Sequence, residues 1–170
     1  MSIDPENIWQ MIKNFFLPKL NKIFFLRLGI IIVMAIIVFK FLLVPCVISG
    51  ASMEPTVKSN GFTFCWLGKY WFSEPQRGDI VIIKYYNNIF FLKRIVGLPG
   101  ETVEFKKGKL LLNGKEYSEP YVKYPSDWEM DPITVGENEF YAVCDNRSMH
   151  IAQHQKGAVR RQRIIGSPLF

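Results

Sequence analysis

The fold is decided by residues 79–117, whose sequence is DIVIIKYYNNIFFLKRIVGLPGETVEFKKGKLLLNGKEY. Short runs rich in Ile, Val, Leu and Phe alternate there with turn-forming residues, which is typical of successive β-strands. Asn113 and Gly114 interrupt the last run, and because both accept a positive φ they predict a two-residue hairpin turn. Similar runs at 62–67 and 138–144 extend the pattern in both directions. The sequence therefore predicts a mainly β domain.

Residues 117–136 do not follow this pattern, because they are rich in Pro, Asp and aromatic residues and show no periodicity. We expect a loop there. No internal repeat interrupts the order of the strands, and 170 residues leave room for one compact domain after a short N-terminal part.

An apolar segment precedes the β pattern. Residues 28–48 contain one charge, Lys40, and their length matches the roughly 20 residues that a helix needs to cross a bilayer. The sequence predicts a cytoplasmic segment at 1–27, a transmembrane anchor at 28–48 and an extracytoplasmic domain at 49–170. A cleaved secretory signal or a buried core helix are the alternatives, but the A-x-A pattern of a cleavage site is missing.

The net charge of +6 is shared equally by the two parts of the chain. Residues 1–48 hold five basic and two acidic groups, and residues 49–170 hold sixteen and thirteen. Basic residues before the span outnumber acidic ones, which favours a cytoplasmic N-terminus. They are Lys13, Lys19, Lys22 and Arg27, against Asp4 and Glu6. Nothing in this balance requires a nucleic-acid partner.

A second basic cluster lies near the C-terminal end and consists of Lys156, Arg160, Arg161 and Arg163. We interpret it as a solvated face, with contact to anionic lipid headgroups as the alternative. The three cysteines form neither a C-x-x-C motif nor a disulfide framework. Cys46 falls inside the predicted span, and a bond between Cys65 and Cys144 is left open because sequence does not show proximity.

The segment SGASMEPT at 49–56 offers Ser52 as a candidate nucleophile. Gly50 permits backbone conformations that most residues resist, so the segment is able to present a hydroxyl in a fixed pose. A serine needs a base to become a nucleophile, and without one Ser52 is an ordinary loop serine. Neither histidine, His150 or His154, stands in a Ser-His-Asp setting.

Lys93 is the candidate base, because it lies in the apolar run IFFLKRIVG at 89–97. Its neighbours on the same strand face are Ile89, Phe91 and Ile95, and burial among them favours the uncharged amine that a base requires. The alternative is an exposed lysine that protects a strand edge from aggregation. Periodicity alone does not separate these two interpretations.

Four segments in order resemble the sequence boxes of type I signal peptidases. They are SGASMEPT at 49–56, RGDIVIIKY at 77–85, KRIVGLPGETVE at 93–104 and VCDNRS at 143–148. The resemblance places Ser52 at the catalytic serine and Lys93 at the catalytic lysine, with Met53 and Pro55 in the expected places beside the serine, where substrate binds. Four matches in sequence after an apolar span make a specific pattern, whereas one would be weak.

The resemblance implies a compact signal-peptidase-like β domain on the outer face of a bacterial cytoplasmic membrane, anchored by one helix. It implies a serine endopeptidase that removes signal peptides from exported preproteins with a Ser-Lys dyad and no cofactor. The backbone N–H of Ser52 is then an oxyanion donor. Some relatives add a serine hydroxyl two residues before the nucleophile, where this chain has Gly50, and Ser49 is the candidate to replace it.

The last box departs from the family pattern. His150 stands where a serine that contacts the lysine is expected, and Cys144 replaces the usual glycine. We expect His150 or Ser148 to hydrogen-bond the catalytic lysine. Asp145 and Arg147 are expected to form an ion pair or to hold the catalytic loop.

These departures leave a second hypothesis, a catalytically silent relative that serves as a binding or assembly partner in the membrane. Retention of both Ser52 and Lys93 argues against it. A self-cleaving repressor protease ranks last, because it would need a DNA-binding region where this chain has an apolar span. His150 and His154 are too few ligands to predict a metal site.

Overall fold

A computed structural model of the chain describes residues 9, 21–86, 89–148, 151 and 157–169. The chain divides into two units, Met1–Lys40 and Phe41–Phe170. The described part of the first unit is helical, and the strands belong to the second unit.

Helix α1, Lys22–Ile37, continues as a short π-helical segment, Val38–Leu42. Asn21 caps its start, since the Asn21 side chain accepts a hydrogen bond of 2.9 Å from the backbone N–H of Phe24. No side chain of α1 is buried. Lys22–Leu42 is long and apolar enough to cross a membrane, because its 21 residues rise by ~30 Å, the thickness of a hydrocarbon core.

The helical segment ends at residue 42, not at the predicted residue 48. Residues Leu43–Val47 form strand β1 and pair with strand β2, Phe62–Trp66, so they cannot extend the helix. Pro45 lacks the N–H that a continuing helix would use. The helix also begins at Lys22 instead of residue 28. The helical segment therefore ends six residues before the predicted span does, and its passage through a membrane stays a prediction.

The second unit contains two sheets in which all described pairs are antiparallel. Its other strands are β3 Ile80–Lys84, β4 Phe90–Gly97, β5 Thr102–Lys106, β6 Lys109–Leu112, β7 Lys115–Glu116, β8 Met130–Thr134, β9 Glu139–Val143, β10 Ala158–Arg160 and β11 Ile164–Leu169. The seven-stranded sheet has the order β1-β2-β11-β3-β4-β9-β10. The four-stranded sheet has the order β7-β6-β5-β8. Strand β4 therefore lies inside the larger sheet, and β1 lies at its edge.

Two apolar clusters form most of the core. The first joins the four-stranded sheet to β4 and β9, and it includes Val96, Val103, Phe105, Leu110 and Val143. The second lies along the centre of the larger sheet and includes Val81, Ile95, Phe140, Ala142 and Ile164. Because β4 and β9 contribute to both clusters, their backbones are the most firmly packed support for functional side chains.

The predicted mainly β class is confirmed, and each predicted apolar run contains a strand. Asn113 and Gly114 have φ values of 51° and 77° at the turn between β6 and β7, as predicted. The loop predicted at 117–136 was wrong in part, because β8 pairs with β5. Strands β1, β10 and β11 were not predicted. Of these three and β8, the strands β1, β8 and β11 contain a proline, a residue that is depleted in strand interiors.

Cys46 and Cys65 form a disulfide with a Cα–Cα distance of 6.2 Å. The strand register explains the pairing, because Cys46 lies opposite Thr63 and the two cysteines are diagonal neighbours on β1 and β2. The expectation that Cys46 lies in the span was wrong, and the bond between Cys65 and Cys144 that had been left open is absent. Cys46 belongs to a strand and not to the helical span, and Cys144 is a buried free thiol that does not pair with Cys65.

Reduction of the Cys46–Cys65 disulfide is expected to lower the free energy of unfolding by about 3 kcal/mol, because it opens a loop of about 20 residues. Urea denaturation of the detergent-solubilised protein, with and without reductant, measures this change. The Cys46→Ser, Cys65→Ser double variant is the matched control and should not respond to reductant. Titration of the unfolded protein should find one thiol before reduction and three afterwards. Three thiols without reduction would disprove the bond.

Candidate active site

Ser52 lies in a short turn that follows the edge strand β1. Gly50 has a φ of 94°, a conformation that residues with a Cβ rarely adopt. The turn is closed by hydrogen bonds from Glu54 N–H to the Ala51 carbonyl and from Val57 N–H to the Met53 carbonyl, at 3.2 and 2.9 Å. Ser52 is half-buried between the exposed Gly50 and the buried Met53. The turn therefore presents the Ser52 side chain from a fixed backbone.

A third apolar cluster anchors this turn from below. It consists of Ile48, Met53, Val57 and Cys144, with Ile80 and Leu92 packed against it. Met53 is 2% exposed, so it is a buried anchor next to Ser52. Pro55, by contrast, is exposed. Of the two residues that were predicted to bind substrate, Met53 is thus buried and Pro55 is exposed to solvent.

Lys93 lies on β4 opposite Val81 and is 9% exposed. Because β4 pairs with β3 on one side and β9 on the other, Lys93 is not a lysine at a strand edge. The predicted burial is confirmed, although its cause differs from the prediction. Phe91 is 44% exposed, and it is Ile95, at 0%, that is buried on the same strand. The Lys93 Nζ donates to the Cys144 Sγ at 3.5 Å.

Arg94, the residue after Lys93, forms a bidentate ion pair with Asp145. The distances are 2.8 Å from Nε to Oδ1 and 2.6 Å from the second guanidinium nitrogen to Oδ2. The guanidinium also donates to the Gly78 carbonyl at 2.7 Å and lies 4.1 Å from the centre of the Tyr121 ring. Burial alone would lower the pKa of Arg94, but hydrogen bonding and attraction from Asp145 outweigh it and raise the pKa.

Arg147 holds the other side of the segment that contains Asp145. It is 1% exposed, donates to both oxygens of Glu119 at 2.6 and 3.2 Å, and donates to the Cys144 carbonyl at 2.6 Å. The expected ion pair between Asp145 and Arg147 was therefore wrong. Each residue has a different partner, and both partners fix the segment, which was the other expectation.

Tyr121 completes this buried charge network. Its hydroxyl donates to Glu119 at 2.6 Å. Burial raises the pKa of Tyr121, and the negative charge of Glu119 raises it further. The phenol is therefore a stable hydrogen-bond donor. Neither Tyr121 nor Glu119 was predicted, because both lie in a segment without periodicity and their partners are distant in sequence.

Asn146 connects the turn of Ser52 to the segment at 144–148. Its backbone N–H donates to the Ser52 carbonyl at 2.9 Å, and its side-chain amide donates to the Ala51 carbonyl at 3.1 Å. Its Oδ1 accepts from the Ser148 hydroxyl at 2.6 Å. Asn146 was missed as a positioning residue, although its place in the DNR run was a usable signal. The Ser148 hydroxyl thus donates to Asn146, and its expected bond with Lys93 stays a prediction.

Lys93 and Ser52 are therefore tied to one short stretch of chain. Lys93 contacts Cys144, and the main chain of Ser52 contacts Asn146, two residues further on. The predicted partner His150 lies outside the described residues, as does His154.

A cleft of about 560 Å³ opens beside Ser52. Its walls are β1 and residues Ile89–Leu92, and its lining is mostly aliphatic and aromatic. From the turn it is lined by Ser49, Gly50, Ser52 and Met53, while Pro55 is not among its described lining residues. Such a cleft suits an apolar ligand that reaches the Ser52 side chain.

The chain matches the family model described as signal peptidase, peptidase S26, over residues 22–170. A signal peptidase I of Leptolyngbya laminosa is 35% identical over 148 residues, which cover 82% of this chain and 73% of the relative. A signal peptidase I of Bacillus licheniformis is 33% identical, with 83% and 82% covered. A crystal structure of a signal peptidase I from Enterococcus faecalis matches with a TM-score of 0.47 and 29% identity, and covers 56% of this chain and 97% of that one.

The substitution Asp145→Asn is expected to destabilise the protein by about 3–5 kcal/mol, because it leaves the buried Arg94 charge without its partner. Glu116→Gln is the matched control, since it breaks the exposed Lys109–Glu116 pair and should cost less than about 1 kcal/mol. Urea denaturation of both variants measures the difference. Equal destabilisation by the two substitutions would show that the Arg94–Asp145 pair contributes no more to the free energy of unfolding than an exposed pair does.

Proposed function

This chain belongs to the signal peptidase family, peptidase S26, and from that membership we propose that Ser52 is its nucleophile and Lys93 its general base. It is a serine endopeptidase that removes signal peptides from signal-bearing preproteins. A catalytically silent relative is not favoured, because this chain retains a serine and a buried lysine in one neighbourhood.

The observation that carries the proposed roles is the shared attachment of both residues to residues 144–146. The lysine amine contacts Cys144, and Asn146 holds the main chain of Ser52. A lysine acts as a base only in its uncharged form, and removal from water disfavours the charged form. Lys93 is 9% exposed and donates to the Cys144 thiol at 3.5 Å, so it is removed from water and held beside the segment that binds the Ser52 turn.

In the proposed reaction the Lys93 amine takes the proton of the Ser52 hydroxyl while the serine oxygen attacks the scissile carbonyl. The C–N bond then breaks, and the protonated lysine gives its proton to the leaving amine, which is the new N-terminus of the mature protein. Water, activated by the same amine, releases the signal peptide from the Ser52 ester. The Ser52 backbone N–H is the proposed oxyanion donor, and Ser49 is the candidate for a second donor.

The proposed substrate path is the apolar cleft beside Ser52. β1 forms one wall and lies at the edge of its sheet, so its outer backbone groups suit pairing with an added strand. An extended preprotein segment bound there would place small apolar side chains against Met53 and Leu92. Both edge pairing and apolar filling are properties of a signal peptide close to its cleavage site.

We infer that helix α1 and its π-helical extension anchor the enzyme in the bacterial cytoplasmic membrane. A group of exposed apolar side chains on β1, β2 and β11 supports contact of the domain with lipid. This apolar face consists of Val47, Phe62, Phe64, Trp66 and Leu169, which are between 36% and 77% exposed. The strand register puts Val47 beside Phe62 and Leu169 beside Phe64, so the patch is continuous. Continuous exposed apolar patches mark membrane or protein contacts.

The Cys46–Cys65 disulfide supports a catalytic domain on the outer face of that membrane, since disulfides persist in oxidising compartments and are rare in the cytosol. The basic residues Lys22 and Arg27 in the first two turns of α1, together with Lys13 and Lys19, favour the same orientation. Lys13 and Lys19, which contribute to that bias, lie outside the described residues.

The substitutions Ser52→Ala and Lys93→Met are each expected to reduce preprotein cleavage by a factor of 10³ or more, because each removes a participant in acyl transfer. Detergent-solubilised enzyme and a signal-bearing precursor measure the rate. Ser73→Ala and Lys115→Met replace exposed residues of the same types and are the matched controls, with unchanged rates. Circular dichroism verifies that all four variants fold. Cleavage by Ser52→Ala at the wild-type rate would refute the proposed nucleophile.

The orientation is tested in bacteria that express the full chain. Cells are quenched with acid, and free thiols are labelled with a maleimide polymer that shifts the electrophoretic mobility. An outer domain predicts one labelled cysteine, Cys144, because Cys46 and Cys65 are oxidised. Pretreatment with reductant should then give three labels. Three labels without reductant would place the domain in the cytoplasm.

A further inference from the structure

Cys144 lies directly across from Lys93. Arg94 pairs with Val143 and Ile95 with Ala142, and continuing this antiparallel register by one residue brings Cys144 opposite Lys93. Opposed side chains on one face of a sheet have their Cβ atoms about 4.5–5.5 Å apart. The contact of 3.5 Å between Nζ and Sγ agrees with this extrapolated register, and Cys144 directly follows the last paired residue of β9.

Cys144 also packs against the apolar cluster under the turn that contains Ser52. Cys144 is 6% exposed and belongs to the cluster with Ile48, Met53 and Val57, which anchors the turn of Ser52. Its carbonyl accepts from the Arg147 guanidinium at 2.6 Å. The main chain and the side chain of Cys144 are thus both fixed, and the residue contacts the amine as well as the apolar cluster under the Ser52 turn.

We propose that Cys144 is a positioning residue for the Lys93 amine, an inference that rests on the proposed role of Lys93 as general base. The Cys144 sulfur accepts a hydrogen bond from Nζ and thereby orients the nitrogen lone pair. A thiol sulfur is a weak acceptor, so it contributes direction to the amine more than it contributes binding energy.

This role accounts for the unusual composition of the last sequence box. The family resemblance implies glycine at residue 144 and a lysine-contacting serine at residue 150, and this chain has Cys144 and His150 instead. The one hydroxyl that was expected nearby, that of Ser148, donates to Asn146. At residue 144 the cysteine side chain supplies a hydrogen-bond acceptor for the Lys93 amine, whereas a glycine would have no side chain to do so.

The inference is tested with Cys144→Ser and Cys144→Val. Serine keeps an acceptor but loses apolar volume, whereas valine fills the apolar space and has no acceptor. We expect kcat for precursor cleavage to fall about tenfold or more in Cys144→Val, with KM unchanged, and to stay within about threefold of wild type in Cys144→Ser. Cys144→Ala gives the same comparison if valine prevents folding.

Val159→Ala truncates a buried side chain of the second core cluster and is the control for loss of packing alone. It should lower the melting temperature and leave kcat unchanged. Wild-type kcat in Cys144→Val or Cys144→Ala, or an equal loss in Cys144→Ser, would overturn the positioning role. These outcomes differ from failure of the proposed function, in which wild-type enzyme does not cleave the precursor or Ser52→Ala still does.

Discussion

The buried ion pair between Arg94 and Asp145 is the interaction on which the arrangement of the site depends. Burying two charges is costly, and such a pair is stable only when geometry and further hydrogen bonds compensate. Here the ion pair is bidentate, and the Arg94 guanidinium also contacts the Gly78 carbonyl and the Tyr121 ring. The pair joins β4 to the end of β9. Because Lys93 precedes one member and Asn146 follows the other, the pair also holds the Lys93 strand beside the residue that binds the Ser52 turn.

The turn that contains Ser52 is held at three points that differ in chemistry. Asn146 binds its main chain, Met53 and Val57 anchor it in an apolar cluster, and the Cys46–Cys65 disulfide fixes the strand that leads into it. Proximity and orientation contribute to catalysis only when both reacting groups are held in place. An enzyme that cleaves one bond of a precursor therefore benefits from a rigid turn of this kind.

Much of the fold was predictable from local patterns. Short apolar runs separated by turn residues identified the central strands, and Asn113-Gly114 identified a turn by its need for positive φ. The burial of Lys93 was one of two open interpretations, and the position of β4 inside the sheet decides between them. Strand β1 was predicted as part of the helical span, because its sequence LVPCV continues the apolar run before it. Composition alone does not distinguish a lipid-facing helix from an edge strand. The partners of Asp145 and Arg147 were not predictable, since Arg94 and Glu119 become neighbours only after folding.

The dyad is tested most directly by trapping the nucleophile itself. A peptide diphenyl phosphonate with the sequence of a signal peptide transfers its phosphonyl group to a serine that a neighbouring base activates, and phenol leaves. Mass spectrometry of the digested enzyme then identifies the modified residue. A buried amine that activates Ser52 predicts an adduct on Ser52 in the wild type and its loss in Lys93→Met. An adduct on another residue, or equal labelling of Ser52 in Lys93→Met, would contradict it.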